Sequence, residues 1–554
     1  MGKSKRYFTQ GKAAVFRRPC CIYYDYANNA WWLCSDAVRV SGRSPWGLFD
    51  ELEQIHREEQ TGLKKAVPRL CVFVNNLNVF RSAVIDRYGE VKDEGEKRTK
   101  DGVMRLQIQT PLFIFRNFSS VANISPQKAA QMFKAGTNAD GMRLLLDELA
   151  GGEPWAKLRW SLAYITKKRF YAPIKAELWE DMKREEVLYR SLEHYKDMFA
   201  GSKAGFMRTF TAPEARKALR VIFCGVQAWD IKSAYPSVFV HDEYFPIGAP
   251  VRVSRGKGSI LNVRLNNAEW FKIVIRSTRQ IQQLELFEGT PDGKTHRYGI
   301  EFYDWRVLTE LLCCPAKEIE AILNNSDWDL YISPDTGLLA DAFRGEIVAA
   351  YLNKDAITDK ASPRRFMYKT ELDMLYGKAI QYRGFKTVQA VNRYLIGRGD
   401  NYLQPAHSMH AISAIRFRIM HAIMYAGAPA VNWDTDGLKL QGCCDDYFNQ
   451  QNAIIADRNY ISGFPACTIG MWDYEGIGRY IQLAPKSYFF EPVDAPAQYK
   501  HSGISDEDFN AYCAGITGDL LEHFRQPRNI PISDAYLYAP DCHLYARTRS
   551  TFTL

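Results

Sequence analysis

Short blocks of β-branched and aromatic residues open the chain. Residues 20–34 (CCIYYDYANNAWWLC) and 70–80 (LCVFVNNLNVF) read as buried strands, and 46–60 between them has the apolar spacing of a helix. Residues 88–102 (YGEVKDEGEKRTKDG) are charged and glycine-punctuated, the pattern of a loop or a hairpin tip. Residues 156–200 are mostly helical in pattern, and the small residues AGSKAG suggest a boundary near 200–225. A strand ending in a turn follows (GVQAWDIKSAYPS), then an α+β stretch over 260–335. Residues 338–380 hold two helical stretches, the second opening on Ser362-Pro363, an N-cap followed by proline at the first helical position. Apolar positions Ile412, Ile415, Ile419 and Ile423 predict a helix over 407–426, stopped by Gly427. VNWDTDGLKL reads as strand, tight turn, strand, with its acids at the turn.

At 554 residues the chain exceeds one compact core, and about three or four lobes are expected. The 46% hydrophobic and 24% charged content is that of an ordinary globular protein. Aromatics at 13% serve cores, but they also stack on bases. The net charge of +9 fits a phosphate-bearing partner without requiring one. Of twelve cysteines, three pairs are adjacent (Cys20-Cys21, Cys313-Cys314, Cys443-Cys444) and none is spaced C-x-x-C, so buried free thiols in a reducing compartment are expected rather than a metal framework. The basic N-terminus lacks the apolar core of a signal peptide, and no run approaches the ~18 apolar residues of a membrane span.

The chemistry is carried by carboxylates. Nucleotidyl transfer uses two divalent cations held by a few aspartates from different strands at one sheet edge. Asp230 ends an apolar strand; Asp434 and Asp436 sit at a strand turn, where an i, i+2 spacing on a strand would aim both the same way. Taken alone, Asp434-Thr435-Asp436-Gly437 is equally a plain hairpin turn. Order and company change this. D-x-x-S-x-Y-P at 230–236 precedes K-x6-Y-G at 369–377, then D-T-D-G at 434–437, then K-S-Y at 486–488. Arg365, Lys369, Asp373 and Tyr376 recur at helical spacing and share a face, which is either a solvated stripe or the wall of a site.

These four motifs, in this order, resemble motifs A, B, C and K-x-Y of family B DNA polymerases. The chain length and the long gap between A and B resemble the protein-primed branch of phages and linear plasmids. The resemblance implies an α+β multidomain right hand of palm, fingers and thumb behind an N-terminal RNase H-like exonuclease domain. The implied divisions are 1–200 for the exonuclease-like domain, 201–261 for palm with motif A and 262–340 for an insertion lobe. Fingers with motif B and a second insertion would take 341–405, palm with motif C and K-x-Y 406–499, and thumb 500–554. It implies Asp230, Asp434 and Asp436 as catalytic residues, with Asp230, Ile231 and Asp436 as metal-holding positions for two Mg²⁺ ions that Mn²⁺ could replace. Ser233, Tyr235, Arg365, Lys369, Tyr376, Gly377, Lys486 and Tyr488 would bind substrate: Lys369 against the triphosphate, Tyr376 against the nascent base pair, Tyr235 beneath the deoxyribose, Lys486 and Tyr488 at the primer end. DNA template and primer, deoxynucleotides and a terminal priming protein would be the partners of a monomer without membrane attachment, in the cytoplasm (the host's, if viral).

Several positions depart from that pattern. Asp373 and Met374 stand where motif B has Asn-Ser, Gly437 stands where motif C has Ser, and no Tyr-x-Gly-Gly is recognisable around 205–209. The exonuclease acids are broken: Asp25-Tyr26-Ala27 replaces D-x-E, Arg81 follows Phe80 where Asp is expected, and Glu193 follows Tyr189. Too few ligands for two-metal hydrolysis would remain unless Asp86 and Asp197 supply them. Two other function classes stay open: a non-catalytic nucleic-acid-binding relative, and a palm enzyme that uses an RNA template or ribonucleotides.

Overall fold

The structure is a computed structural model. It describes residues 20–553 except 26–27, 29, 36–37, 61–68, 90, 100–101, 123, 151–169, 171–189, 201–218, 247–249, 257–269, 288–295, 334, 380–385, 398–404, 485–486, 501–505, 532–534, 539–543 and 548–550. Two compact units make up the chain. One is Met1–Ile165 with Asn353–Glu371 and Ser533–Ser550; the other is Thr166–Leu352 with Leu372–Ile532 and Thr551–Leu554. This cuts across the divisions expected from the motifs, with 166–200 joining the second unit and 533–550 the first. No described helix is long and apolar enough to cross a membrane.

In the first unit a mixed sheet runs in the order β3-β2-β1-β4-β7-β6-β5. Its strands are β1 Cys20–Asp25, β2 Ala30–Cys34, β3 Arg39–Arg43, β4 Leu70–Val74, β5 Lys92–Thr99, β6 Gly102–Gln109 and β7 Phe113–Asn117. β4 is parallel to both β1 and β7. Helices α1 (Pro45–Gln60) and α2 (Leu77–Tyr88) supply the other half of this core: Leu48, Leu52 and Ile55 from α1, Leu77, Phe80 and Val84 from α2, each set at helical spacing.

Two expectations change here. The strand expected over 70–80 stops at Val74, and 77–80 opens α2. Asn75 marks the break: its side chain accepts from the Tyr24 amide and donates to the Tyr24 carbonyl, both at 3.0 Å, stapling the end of β4 to β1. The charged stretch 88–102 holds the end of a hairpin, as one of its two readings had it, but is mostly strand, because β5 pairs antiparallel with β6 from Thr99 opposite Gly102. β5 lies at the sheet edge, where charged side chains are tolerated and discourage further pairing. Most of 156–200 lies outside the described residues.

The second unit holds two larger sheets. Strands 251–256, 327–333, 270–277 and 296–301 pair antiparallel in that spatial order and bury Phe271, Ile273, Ile275 and Leu330 against the helical stretch 302–323. The other sheet runs β9-β10-β8-β11-β12-β13, built from β8 Ile222–Ile231, β9 Ala430–Asp434, β10 Gly437–Gln441, β11 Trp472–Ala484, β12 Ser487–Pro492 and β13 Gln498–Lys500. It is strongly curled. Asn432 on β9 donates to Gln482 on β11 at 2.5 Å, although these strands are three spacings, ~14 Å, apart in a flat sheet.

With this sheet go α3 (Ala234–His241), α4 (Asp341–Asp355) as far as Leu352, α5 (Pro363–Ala379) from Leu372 onward and α6 (Pro405–Tyr425). The last two match the expected helices over 362–380 and 407–426. α6 is buried nearly all round in its first three turns, and its polar residues there have partners. His410 and Ser413 bond to Glu301, Arg416 to Asp304, and His407 to the Pro246 carbonyl. Burial opposes a charge on His410, but Glu301 and Asp242 outweigh it and push the imidazole up to about 10. The described cysteines are free thiols, but Cys224, Cys313 and Cys443 are exposed rather than buried as expected.

Candidate active site

β8 carries Asp230 to the end of the curled sheet, where antiparallel pairing sets Asp230 directly opposite Gly437 on β10 and opposite Asp473 on β11. The turn from β9 to β10 is tighter than a two-residue hairpin of ordinary type. Asp436 donates its amide to the Asp434 carbonyl at 2.7 Å, closing a ring over Thr435, whose φ is +62°. That is an i to i+2 closure with a β-branched residue in left-handed backbone, an uncommon and costly conformation found mostly at functional sites. Asp434 and Asp436 are therefore not neighbours on one strand. The tight turn brings them to the same corner, not the strand alternation expected from their spacing.

The Ile231 amide donates to the Asp436 carbonyl at 3.1 Å, so this turn is pinned to the end of β8. The amide and carbonyl of a strand residue face the same side, which directs the Ile231 carbonyl to that corner too. Gly437 explains one departure from the family pattern. A Cβ there would lie 3.3 Å from the Asp230 carboxylate oxygen, so serine would crowd the very group the turn presents.

The corner is short of positive charge on one side. Burial, then the carboxylates of Asp373 and Asp434, push the Asp436 carboxyl up to about 6, with Lys500 working against them. Asp373 comes from α5 and stands where the family has asparagine. Lys500, on β13, donates to Asp434 Oδ2 at 2.7 Å, and the Thr435 hydroxyl donates to Asp434 Oδ1 at 2.9 Å. Lys439, two residues beyond Gly437, is buried with its ammonium 4.6 Å from the centre of the Tyr488 ring. Neither lysine stands out in the sequence, because each gains its meaning only from strand pairing.

The other expected residues fall into two groups. Tyr235, buried on α3, stacks on Tyr376 of α5 with ring centres 4.3 Å apart, and Ser408 of α6 donates to the Tyr376 carbonyl. Ser233 forms the turn into α3 at φ +49°. Tyr488 lies beside these acids: burial, then Glu475, Asp434 and Asp230, raise its phenol. Gly377 is half-buried with open space where a side chain would start. Arg365 and Lys369 belong to the first unit. Arg365 is used structurally there, donating to the carbonyls of Lys354 and Ile357 at 2.7 and 2.6 Å, and Lys369 is exposed. Lys486 lies outside the described residues.

No protein-family profile and no curated protein matches the sequence. Solved structures do. Phi29 DNA polymerase complexed with primer-template DNA and incoming nucleotides aligns over 97% of this chain and 99% of its own, at 14% identity and TM-score 0.62. The same enzyme with single-stranded DNA aligns over the same shares at 14% identity and TM-score 0.63, and its orthorhombic crystal form at 13% and 0.63. This chain has the fold of Phi29 DNA polymerase. The resemblance to a protein-primed family B DNA polymerase, read from four short motifs, thus holds for the fold along nearly the whole chain.

Among the described residues no three His, Cys, Asp or Glu side chains gather as a metal cluster. The donors at this corner of the polymerase fold are fewer: the carboxylates of Asp230 and Asp436 and the backbone carbonyl of Ile231. Two carboxylates, a carbonyl and water are a set that suits Mg²⁺, and the raised Asp436 carboxyl marks a negative charge that a cation would relieve.

Among the described residues, the acids considered for an exonuclease site form no metal-holding group. Asp25 accepts from the amide and side chain of Asn28 at 3.3 and 2.8 Å, Asp86 is exposed, and Ala27 lies outside the described residues. Asp197 belongs to the second unit and is committed there to Arg276 at 2.5 Å, to Tyr331 at 2.5 Å and to Arg297 at 3.4 Å.

The folded Asp436 carboxyl keeps its proton to about pH 6, against 3.8 for an ordinary aspartate. Between these values the folded state binds more protons than the unfolded one, so stability falls as pH rises through that window. In chelator at pH 8, Asp436→Asn should raise the unfolding free energy by on the order of 1 kcal/mol, discounted for partial solvation. At pH 4 the gain should vanish. Melts at both pH values check this, and an equal effect at both would refute the electrostatic account.

Proposed function

We propose that this chain is a template-directed DNA polymerase that adds deoxynucleotides by two-metal nucleotidyl transfer, with Asp230 and Asp436 as the metal-holding carboxylates. The observation that carries this is the pairing of Asp230 against Gly437 beside the pinned turn of Asp434 and Asp436, in a chain whose fold matches Phi29 DNA polymerase over 97% of its length. Divalent cations held there would lower the pKa of a primer 3′-hydroxyl and stabilise charge growing on the phosphorus. Asp230, Asp436 and the Ile231 carbonyl would hold them. Tyr235 and Tyr376 would form the wall against the sugar and base of the incoming nucleotide, and Tyr488, backed by Lys439, would meet the primer end. We read the curled sheet as the palm.

Primer extension on a DNA template tests the reading. The full chain should extend a primer with Mg²⁺ or Mn²⁺, and Asp230→Ala should cut the rate by about a thousandfold or more, the scale expected when a group stabilising transition-state charge is lost. DNA binding should persist, since it rests mainly on contacts to phosphate. Extension undiminished in the variant would refute the assignment. Single-stranded DNA incubated without nucleotides serves as a second arm. Little 3′ shortening is expected, because Arg81 replaces an acid and Asp197 is bound elsewhere; robust shortening would overturn the loss of proofreading.

Sugar selection follows from the stacked tyrosines. Removing the Tyr235 ring opens space beside C2′ of a bound nucleotide, so Tyr235→Val should raise ribonucleotide incorporation relative to deoxyribonucleotide by about tenfold or more. An unchanged ratio would make Tyr235 a packing residue only.

Protein priming would use the insertion lobe expected over 262–340, whose sheet begins earlier, at strand Val251–Gly256. Deleting that lobe would strip His410 and Arg416 of Glu301 and Asp304, so a gentler test is needed. Val253 and Leu312 are exposed there. Val253→Glu and Leu312→Glu should reduce transfer of labelled nucleotide onto protein, in an extract of the native replicating cells, more than they reduce DNA-primer extension. Equal loss in both assays would favour ordinary primers.

A further inference from the structure

Lys500 and Asp434 belong to the two outermost strands of the curled sheet, β13 and β9. Five spacings separate these strands, which in a flat sheet is ~24 Å, far beyond the reach of a lysine. Their 2.7 Å ion pair therefore depends on the curl and closes the two sheet edges across the concave face. The pair is asymmetric. The Asp434 side chain is 10% exposed and the Lys500 side chain 50%. Both oxygens of Asp434 are engaged, one by Lys500 and the other by the Thr435 hydroxyl. Asp436, two residues on and at the same turn, has Asp373 and Asp434 as like-charged neighbours. Lys500 also pairs in register with Tyr488, so the clasp stands next to the residue expected to meet the primer end.

We propose that Lys500 is a positioning residue for nucleotide addition: its ammonium holds the Asp434 carboxylate away from the cation site, so that Asp230 and Asp436 alone ligate there. This rests on the polymerase reading. Without Lys500, Asp434 loses the ion pair on Oδ2, and that oxygen is no longer drawn away from a cation beside Asp436. Metal would then be held more tightly but in the wrong geometry, and the chemical step would suffer rather than nucleotide binding.

The test uses the full chain and two independent readouts. Mn²⁺ binding without DNA or nucleotide, followed by electron paramagnetic resonance, should tighten by about threefold or more in Lys500→Met, since removing a nearby cation and freeing a carboxylate both favour the metal. It should return close to wild type in the double variant Asp434→Asn/Lys500→Met and in Lys500→Arg. In primer extension, Lys500→Met should lower kcat by about tenfold with KM for nucleotide little changed, the sign of an interaction used in the chemical step; Lys500→Arg should restore most of it. Unchanged Mn²⁺ affinity in Lys500→Met, or a change that Asp434→Asn does not reverse, would overturn the proposal. A loss confined to DNA affinity would do so too, making Lys500 a phosphate contact. A wild-type chain that extends no primer would refute the polymerase reading, and the Mn²⁺ measurements would still decide whether Lys500 restrains Asp434.

Discussion

Antiparallel pairing of β8 with β10 is the constraint from which the candidate site follows. It fixes Asp230 opposite Gly437, and the Ile231 amide carries the pairing one step further onto the Asp436 carbonyl. A slip of one residue would send Asp230 to the other face of the sheet. The register is protected by burial on both sides of it: Val226, Ala228, Leu438 and Leu440 are all fully enclosed. With the strands locked, the Thr435 turn has no slack, and its left-handed residue is the local cost of bringing the two acids to one corner.

Charge is distributed around that corner with the same economy. Asp373 from α5 and Asp434 from β9 add their charge to that of Asp436 at the turn, and β8 brings Asp230 opposite Gly437. Only Lys439 and Lys500 face them with positive charge among the neighbours described above, and Lys439 is itself held in an apolar setting over Tyr488. A raised carboxyl at Asp436 is the expected result of gathering acids where solvent is partly excluded. Elsewhere in the same unit, buried charges are paired off. Arg276 meets Asp197 and Asp329, Arg416 meets Asp304, and Lys272 donates to the carbonyls of Met198 and Ala200 at 2.9 Å each. At the corner, by contrast, like charges lie near one another and raise the Asp436 carboxyl.

The lobe between motifs A and B is tied to α6 by the bonds of Glu301 and Asp304 to His410, Ser413 and Arg416. Breaking such a buried network by removing one partner costs far more than a surface pair would. The lobe is thus built onto the helix that precedes the Asp434–Asp436 turn, which gives its sheet a fixed base. In the first unit the sheet survives without a gathered acidic set because its stability comes from Ile22, Val72, Phe113 and Phe115 against two helices, none of which depends on a metal.

The sequence alone determined the elements whose signal is local. Apolar periodicity set α1 and α6, Ser362-Pro363 set the start of α5, and the alternation around D-T-D-G set the strand pair that carries Asp434 and Asp436. Four ordered motifs were enough to indicate the polymerase fold at an identity of 14%, because each motif is a few residues at a fixed spacing while the core needs only apolar residues of suitable size. Other features depended on three dimensions. Asn75 ended a strand by bonding a residue 51 positions away, and charged 92–99 became a strand because β6 offered it a backbone partner. Arg365, on the right helical face, was taken up by the carbonyls of Lys354 and Ile357. Lys500 acquired its contact with Asp434, 66 residues distant in the chain, only through the curl of the sheet. Periodicity and spacing reach across one element at a time; which charges meet is decided when the elements close on each other.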